Sequence, residues 1–105
     1  MLSGNHSDIV FLVVIAGRKQ KEVLSQAITK TGGHIVSIVY AKGSVKSSYI
    51  RDMLGLVHEE DKVVIKSLMP NLKSDTMMDI LNEQFNFKEP NTGIAFTVSV
   101  EKLSF

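Results

Sequence analysis

The chain has 105 residues, the size of one domain with a single hydrophobic core. Its 12 basic and 11 acidic side chains leave a net charge near +1, which excludes the strongly cationic surface typical of nucleic-acid-binding proteins. It contains no cysteine, which excludes disulfides, a thiol nucleophile and thiolate metal ligands.

The first seven residues are expected to form a flexible leader, followed by one domain over residues 8–105. The apolar run "DIVFLVVIAG" (residues 8–17) predicts a strand that is covered on both faces. Its longest uninterrupted apolar stretch is too short to cross a bilayer, and no basic segment precedes it. We therefore expect a soluble, cytoplasmic protein without direct membrane insertion.

The next segment, residues 18–33, predicts the first helix. Four apolar side chains recur at helical spacing before a glycine pair stops the pattern: Val23, Leu24, Ala27, Ile28, Gly32 and Gly33. Residues 34–43 then predict a second strand. Residues 43–61 lack any clean periodicity and predict a long loop, and residues 61–70 predict a third strand that Pro70 closes.

The second helix is predicted after Pro70, with Asn71 or Ser74 as its N-terminal cap. Its buried face is predicted to consist of Met77, Ile80, Leu81 and Phe85. A turn-rich link, "FKEPNTG", precedes the run "IAFTVSV", whose strict alternation predicts the fourth strand.

This order of elements predicts an α+β, ferredoxin-like βαββαβ sandwich, in which a four-stranded antiparallel sheet carries two helices on one face. Both faces of the first strand are apolar, because Phe11, Val13 and Ile15 alternate with Val10, Leu12 and Val14. The sheet face without helices would then be an exposed apolar surface, so we expect an oligomer.

Two segments contain residues that are candidates for catalysis or for binding. His58 and the acidic residues 59–61 form either a solvated loop run or a metal or acid–base site. The long loop begins with "KGSVKSS", which lacks the second glycine of a phosphate-binding P-loop. Its apolar part, "YIRDMLGLV", predicts either a short packed helix or an effector loop that becomes ordered on a partner.

Three stretches, in this order of elements, resemble the P-II nitrogen regulatory proteins and their P-II-like relatives: "YAKG" before the long loop, "KVVIKSLMP" after it and "TGIAFTVSVEKL" at the end. The resemblance extends over residues 9–103. It implies a non-enzymatic homotrimer whose bare sheet faces pack around a central axis. It also implies clefts between subunits that bind adenine nucleotides, and a long loop that signals to a metabolic enzyme or a membrane transporter.

The resemblance also implies individual roles. Ser37 would lie near the adenine, the backbone around Leu68 would flank the base, and Thr92 and Gly93 would form the turn on the phosphate side. The ends of the long loop would contribute Gly43 at its start and Lys62 at its end. The partner-binding surface of the loop would include Tyr49, Arg51, Met53 and Leu54.

Several departures from the family pattern affect the expected ligand. Ile94 stands where the family has a phosphate-binding lysine, Val45 replaces a glycine and Ser47 replaces a glutamine. We expect no counterpart of the family's arginine-bearing tail after Phe105. Since each charge-assisted hydrogen bond contributes about 1.5–3 kcal/mol, we expect AMP or ADP, or another small effector, in preference to ATP. Compensating charge could come from Lys42, Lys46, Arg51 and Lys62.

Three functional hypotheses follow. The first is a P-II-like signalling trimer that binds a small effector. The second is a structural or interaction trimer of the same fold that has lost effector binding. The third is a small enzyme or metal-binding relative that uses His58 and residues 59–61.

Overall fold

The computed structural model describes residues 8–41, 61–90 and 92–101. The elements follow in chain order: β1 (Ile9–Gly17), a 3₁₀ turn (Arg18–Gln20), α1 (Lys21–Lys30), β2 (His34–Ala41), β3 (Lys62–Pro70), α2 (Asn71–Gln84) and β4 (Gly93–Ser99). The predicted order of strands and helices is confirmed. Within the described ranges, neither helix is both long and apolar enough to span a membrane.

The four strands form one antiparallel sheet in the order β2-β3-β1-β4. The two most apolar strands, β1 and β3, are central, and β2 and β4 are the edges. Val14 in the middle of β1 lies opposite Ile65 of β3 on one side and Ala95 of β4 on the other. This strand order is the predicted ferredoxin-like βαββαβ arrangement.

Both helices pack on one face of the sheet, which we call the covered face. Leu24 and Ile28 of α1 and Met77 and Leu81 of α2 are almost completely buried there. They meet alternate residues of the central strands: Val10, Leu12, Val14, Ala16, Val63, Ile65 and Met69. The prediction of two helices on one face is confirmed, and so is the prediction that Met77 is in the core.

The opposite face of the sheet carries no helix and is called the open face. Because side chains alternate along a strand, the residues between the core positions lie on it. They are His34, Ser37, Val39, Phe11, Val13, Ile15, Val64, Lys66, Leu68, Ile94, Phe96 and Val98. Most are apolar, and Phe96 and Val98 remain 44% and 51% exposed. The exposed apolar face expected from the sequence is present.

The first helix ends as predicted but begins later. Gly32 adopts a φ of +105°, a conformation that favours glycine, and the N–H of Gly33 donates to the carbonyl of Ile28 at 2.9 Å. At the other end, the 3₁₀ turn comes between β1 and α1, so the α-helix begins at Lys21 rather than at Arg18.

The predicted side-chain cap of the second helix is wrong. Pro70 is the N-cap residue, with an extended backbone that ends β3 and leads directly into the helix. Asn71 is therefore already the first helical residue, and no side chain caps the N-terminus. Ser74 instead donates its hydroxyl to the carbonyl of Asn71 at 2.7 Å, within the first turn.

Candidate functional site

Two of the residues predicted to bind a ligand lie on the open face of the sheet. Ser37 is in the edge strand β2 and lies opposite Lys66 of β3, and Leu68 is two residues further along β3, opposite His34. A β-bulge between Ile35 and Ser37 sets this register. The sequence did not predict that Lys66 is the direct neighbour of Ser37, because the bulge leaves no recognisable pattern in the residues.

Two other predicted residues lie at one end of the sheet, next to the ends of the long loop. Lys62 lies opposite both Gly17 and Ala41, and Gly93 lies opposite Ala16. One strand therefore separates Lys62 from Gly93. Leu68 is six residues further along β3 than Lys62, roughly 20 Å at 3.3 Å per residue. Within one chain the predicted residues thus form two separate groups: Lys62 and Gly93 at the end of the sheet, and Ser37 and Leu68 on its open face.

Gly93 lies beneath an aromatic ring. A Cβ atom added to Gly93 would come 2.7 Å from Cε1 and 2.8 Å from Cε2 of Phe87, which is closer than real Cβ contacts. Phe87 packs against the core cluster and belongs to the link between α2 and β4. The glycine therefore makes room for this ring, and its neighbour Thr92 places its hydroxyl 3.5 Å from the carbonyl oxygen of Pro90.

A cluster that the sequence did not reveal connects three strand ends beside the long loop. The backbone N–H of Arg18, just after β1, donates to the carbonyl of Asp61 at 3.1 Å. The Arg18 guanidinium lies 3.8 Å from the carboxylate of Asp61 and 4.2 Å from the ring centre of Tyr40, which is near the end of β2. Asp61, which was a candidate metal or acid–base residue, is thus paired with an arginine.

Lys21 lies close to this cluster, at the start of α1. Its ammonium donates to the carboxylate of Glu22 at 3.1 Å. That hydrogen bond and the charge of Glu22 raise the pKa of Lys21 above its usual value, with a smaller contribution from Tyr40. The lysine is half-buried and stays protonated at neutral pH, so it is not suited to act as a general base.

A groove of about 590 Å³ lies between the two helices. Its lining includes the amide side chains of Gln20, Gln26, Gln84 and Asn86. Across the three described ranges, no three His, Asp or Glu side chains form a group that could hold a metal ion.

The remaining predicted site residues lie outside the described residues. They are Gly43 at the start of the long loop, and Tyr49, Arg51, Met53 and Leu54 on its proposed partner-binding surface. His58 and residues 59–60 of the alternative acidic site lie there too.

Known structures share the fold of this chain at low sequence identity. A protein from Thermus thermophilus assigned as a PII-like signalling protein superposes with a TM-score of 0.65 at 14% identity, over 88% of this chain and 85% of the other. CPII from Thiomonas intermedia, bound to ADP, AMP and acetate, gives 0.62 at 15% identity, over 88% and 85%.

A DUF3240 family protein from Shewanella baltica gives a TM-score of 0.58 at 10% identity, over 94% of this chain and 97% of the other. No family model matches the sequence, and no curated protein does. The similarity therefore resides in the backbone: the chain has the fold of the PII-like proteins, as the sequence resemblance implied.

Proposed function

We propose that this chain is a divergent PII-like regulatory protein that works without catalysis in the cytoplasm. It assembles as a homotrimer and binds a small, adenine-nucleotide-like effector in clefts between its subunits. The long loop then passes the ligand state to a protein partner, either a metabolic enzyme or a membrane transporter. The fold it shares with CPII, which binds ADP and AMP, supports this proposal.

The open face of the sheet is the observation that carries the proposal. Nine of the twelve residues named for this face are apolar. Their exposure to water would be unfavourable if the chain stayed monomeric. Three copies that pack these faces around an axis would bury them. In that arrangement the edges of neighbouring sheets approach each other and form three equivalent clefts.

Such clefts explain how the divided site residues could act together. Within one chain Lys62 and Gly93 are remote from Leu68, but in a cleft between copies the end of one sheet can face the open face of the next. Ser37 and Leu68 would then contact the base. Lys62, Thr92, Gly93 and the start of the loop at Gly43 would enclose the phosphate side.

The charges near the site favour a ligand with few phosphates. Ile94 is an apolar residue of the open face and supplies no hydrogen bond to a phosphate. AMP or ADP therefore fits better than ATP, since each missing charge-assisted bond costs roughly tenfold or more in affinity. The net charge near +1 gives no support for a nucleic-acid partner.

Sedimentation and calorimetry of the full chain test the proposal together. We expect a trimer that releases or absorbs heat with AMP or ADP, more weakly with ATP, and whose affinity falls when Leu68→Ala removes the side chain beside the base. Leu72→Ala is the matched control, because Leu72 lies on α2 and is 88% exposed. A monomer, or a trimer that gives no heat with AMP, ADP, ATP or cyclic dinucleotides, would contradict it.

A structural trimer without an effector is the second candidate. The ring of Phe87 favours it, because the ring accounts for Gly93 without any ligand. In that case the trimer persists, but no nucleotide binds. Substituting Gly93→Lys would then change stability alone, whereas a nucleotide-binding trimer would also change its affinity for AMP and ADP.

A further inference from the structure

Arg18 contacts both strands that border the long loop. Its guanidinium lies 4.2 Å from the ring centre of Tyr40, near the end of β2, and 3.8 Å from the carboxylate of Asp61, just before β3. Its backbone N–H also donates to the carbonyl of Asp61 at 3.1 Å. One residue at the end of β1 therefore joins the two ends of the long loop.

The 3₁₀ turn after β1 determines where this arginine lies. The turn carries two cations, Arg18 and Lys19, and none of its residues is buried. Among the described residues, Lys19 takes part in neither of the ion pairs. A planar guanidinium can lie over an aromatic ring and face a carboxylate at the same time, whereas a compact ammonium is less suited to both contacts. The residue type therefore fits this double contact.

The contacts of Arg18 surround the backbone position of Lys62. Lys62 is the first residue of β3 and pairs with both neighbouring strands, and its side chain is buried. Asp61 directly precedes it. Tyr40 lies one residue before its partner on β2, and Arg18 lies one residue after its partner on β1. Contacts that hold these three neighbours therefore also fix the place of Lys62.

The same contacts contribute little to the stability of the whole fold. The side chains of Arg18 and Asp61 are 52% and 47% exposed, and Tyr40 is about half exposed. Exposed ion pairs are weak, because water screens the charges and two long side chains lose conformational freedom. The effect of Arg18 is therefore local and concerns the strand ends beside the long loop.

We infer that Arg18 is a positioning residue for the phosphate side of the cleft between subunits. The inference rests on the proposed function, which places Lys62 on that side. The guanidinium is directed to Tyr40 and Asp61, so it acts through the strand ends and not on the ligand. By holding these ends in one arrangement before the ligand binds, it lowers the cost of ordering them around a phosphate.

Calorimetric titration of the full chain with adenosine, AMP and ADP tests this assignment. Arg18→Met removes the ring contact and the ion pair but keeps the backbone N–H. The affinity for AMP and ADP should fall roughly 3- to 10-fold, as expected for weak exposed contacts, while adenosine binding and the midpoint of urea unfolding stay unchanged. Lys19→Met is the matched control, because it removes the same charge from an exposed residue of the same turn.

A second variant tests whether the ring and the guanidinium act together. Tyr40→Leu removes the ring and should lower the affinity for AMP and ADP by a similar factor. The double variant with Arg18→Met should then lose less than the product of the two factors, because both substitutions break the same contact. A loss equal to that product would show that the two residues act independently and would overturn the assignment.

The two proposals fail in different ways. If Arg18→Met binds AMP and ADP as tightly as the wild type, Arg18 has no positioning role, while the proposed function stands. A parallel loss for adenosine, or an equal loss with Lys19→Met, would also overturn the assignment. So would a loss of more than about 100-fold, which would mean that Arg18 binds the phosphate directly. If the wild type binds neither adenosine nor nucleotides, both proposals fall. Sedimentation of each variant establishes that the assembly is intact before its affinity is compared.

Discussion

The covered and open faces of the sheet consist of the same kinds of residue but differ in what lies on them. On the covered face, Leu12 and Ile65 are completely buried beneath the two helices, and on the open face Phe96 and Val98 are about half exposed. Right-handed βαβ connections explain the asymmetry, because they place both helices on one side. The comparison teaches that the two faces differ in cover rather than in apolar character, since the open face keeps apolar side chains exposed in the single chain.

The largest expected effect comes from a charged substitution on the open face. Phe96→Lys places a second cation in the row that already contains Lys66. If copies pack through this face, the substitution leaves several unpaired charges in the interface, and association should weaken by at least about 1,000-fold. Sedimentation velocity at micromolar concentration measures it.

Thr97→Lys is the control for that experiment, because Thr97 is the next residue and its side chain lies on the other side of the sheet. It should leave the association intact. An unchanged oligomer with Phe96→Lys would show that the open face is not the interface.

The next largest effect tests the covered face. Leu24→Ala removes a completely buried side chain between α1 and the sheet and should lower the free energy of unfolding by about 2–5 kcal/mol. Val23→Ala, at the adjacent position but 49% exposed, should cost less than about 0.5 kcal/mol. Urea unfolding of both variants at one protein concentration gives the comparison. Equal losses would mean that a partner buries Val23 as well.

A smaller effect concerns the contact that joins the covered face to the start of β4. Gly93→Ala should cost about 1–3 kcal/mol, because the new methyl group overlaps the ring of Phe87. Phe87→Ala removes that overlap, so the double variant should lose less stability than the sum of the two single variants. A double-mutant cycle by urea unfolding measures the coupling. A purely additive result would mean that the ring moves away without cost.

The fold could be predicted from local patterns because the physical causes are local. Alternation along 93–99, the helical spacing of Leu24 and Ile28, and the glycine pair after α1 each reflect the geometry of a single element. The cap of α2 was missed because two polar residues near Pro70 were equally suitable for that role, and the extended backbone of the proline itself decides where the helix begins.

The candidate site could be predicted only where family resemblance supplied the positions. The pairing of Ser37 with Lys66 depends on a β-bulge, and the contacts of Arg18 with Tyr40 and Asp61 join residues far apart in the chain. Nor does the sequence show that Phe87 returns onto Gly93. Each of these is a tertiary contact, and no spacing along the chain encodes it.

The smallest expected effect is a gain in stability. Ser67 lies on the covered face opposite Leu12 and Ile35, and its hydroxyl is fully buried without a hydrogen-bond partner among the described residues. Ser67→Ala removes a polar group that burial leaves unsatisfied, and should raise the free energy of unfolding by about 1 kcal/mol. Ser37→Ala, the same substitution on the open face, should leave stability within about 0.5 kcal/mol. A loss of stability with Ser67→Ala in urea unfolding would show that this hydroxyl has a hydrogen-bond partner, either a bound water or a residue outside the described ranges. Polar contacts would then contribute to the packing of the covered face.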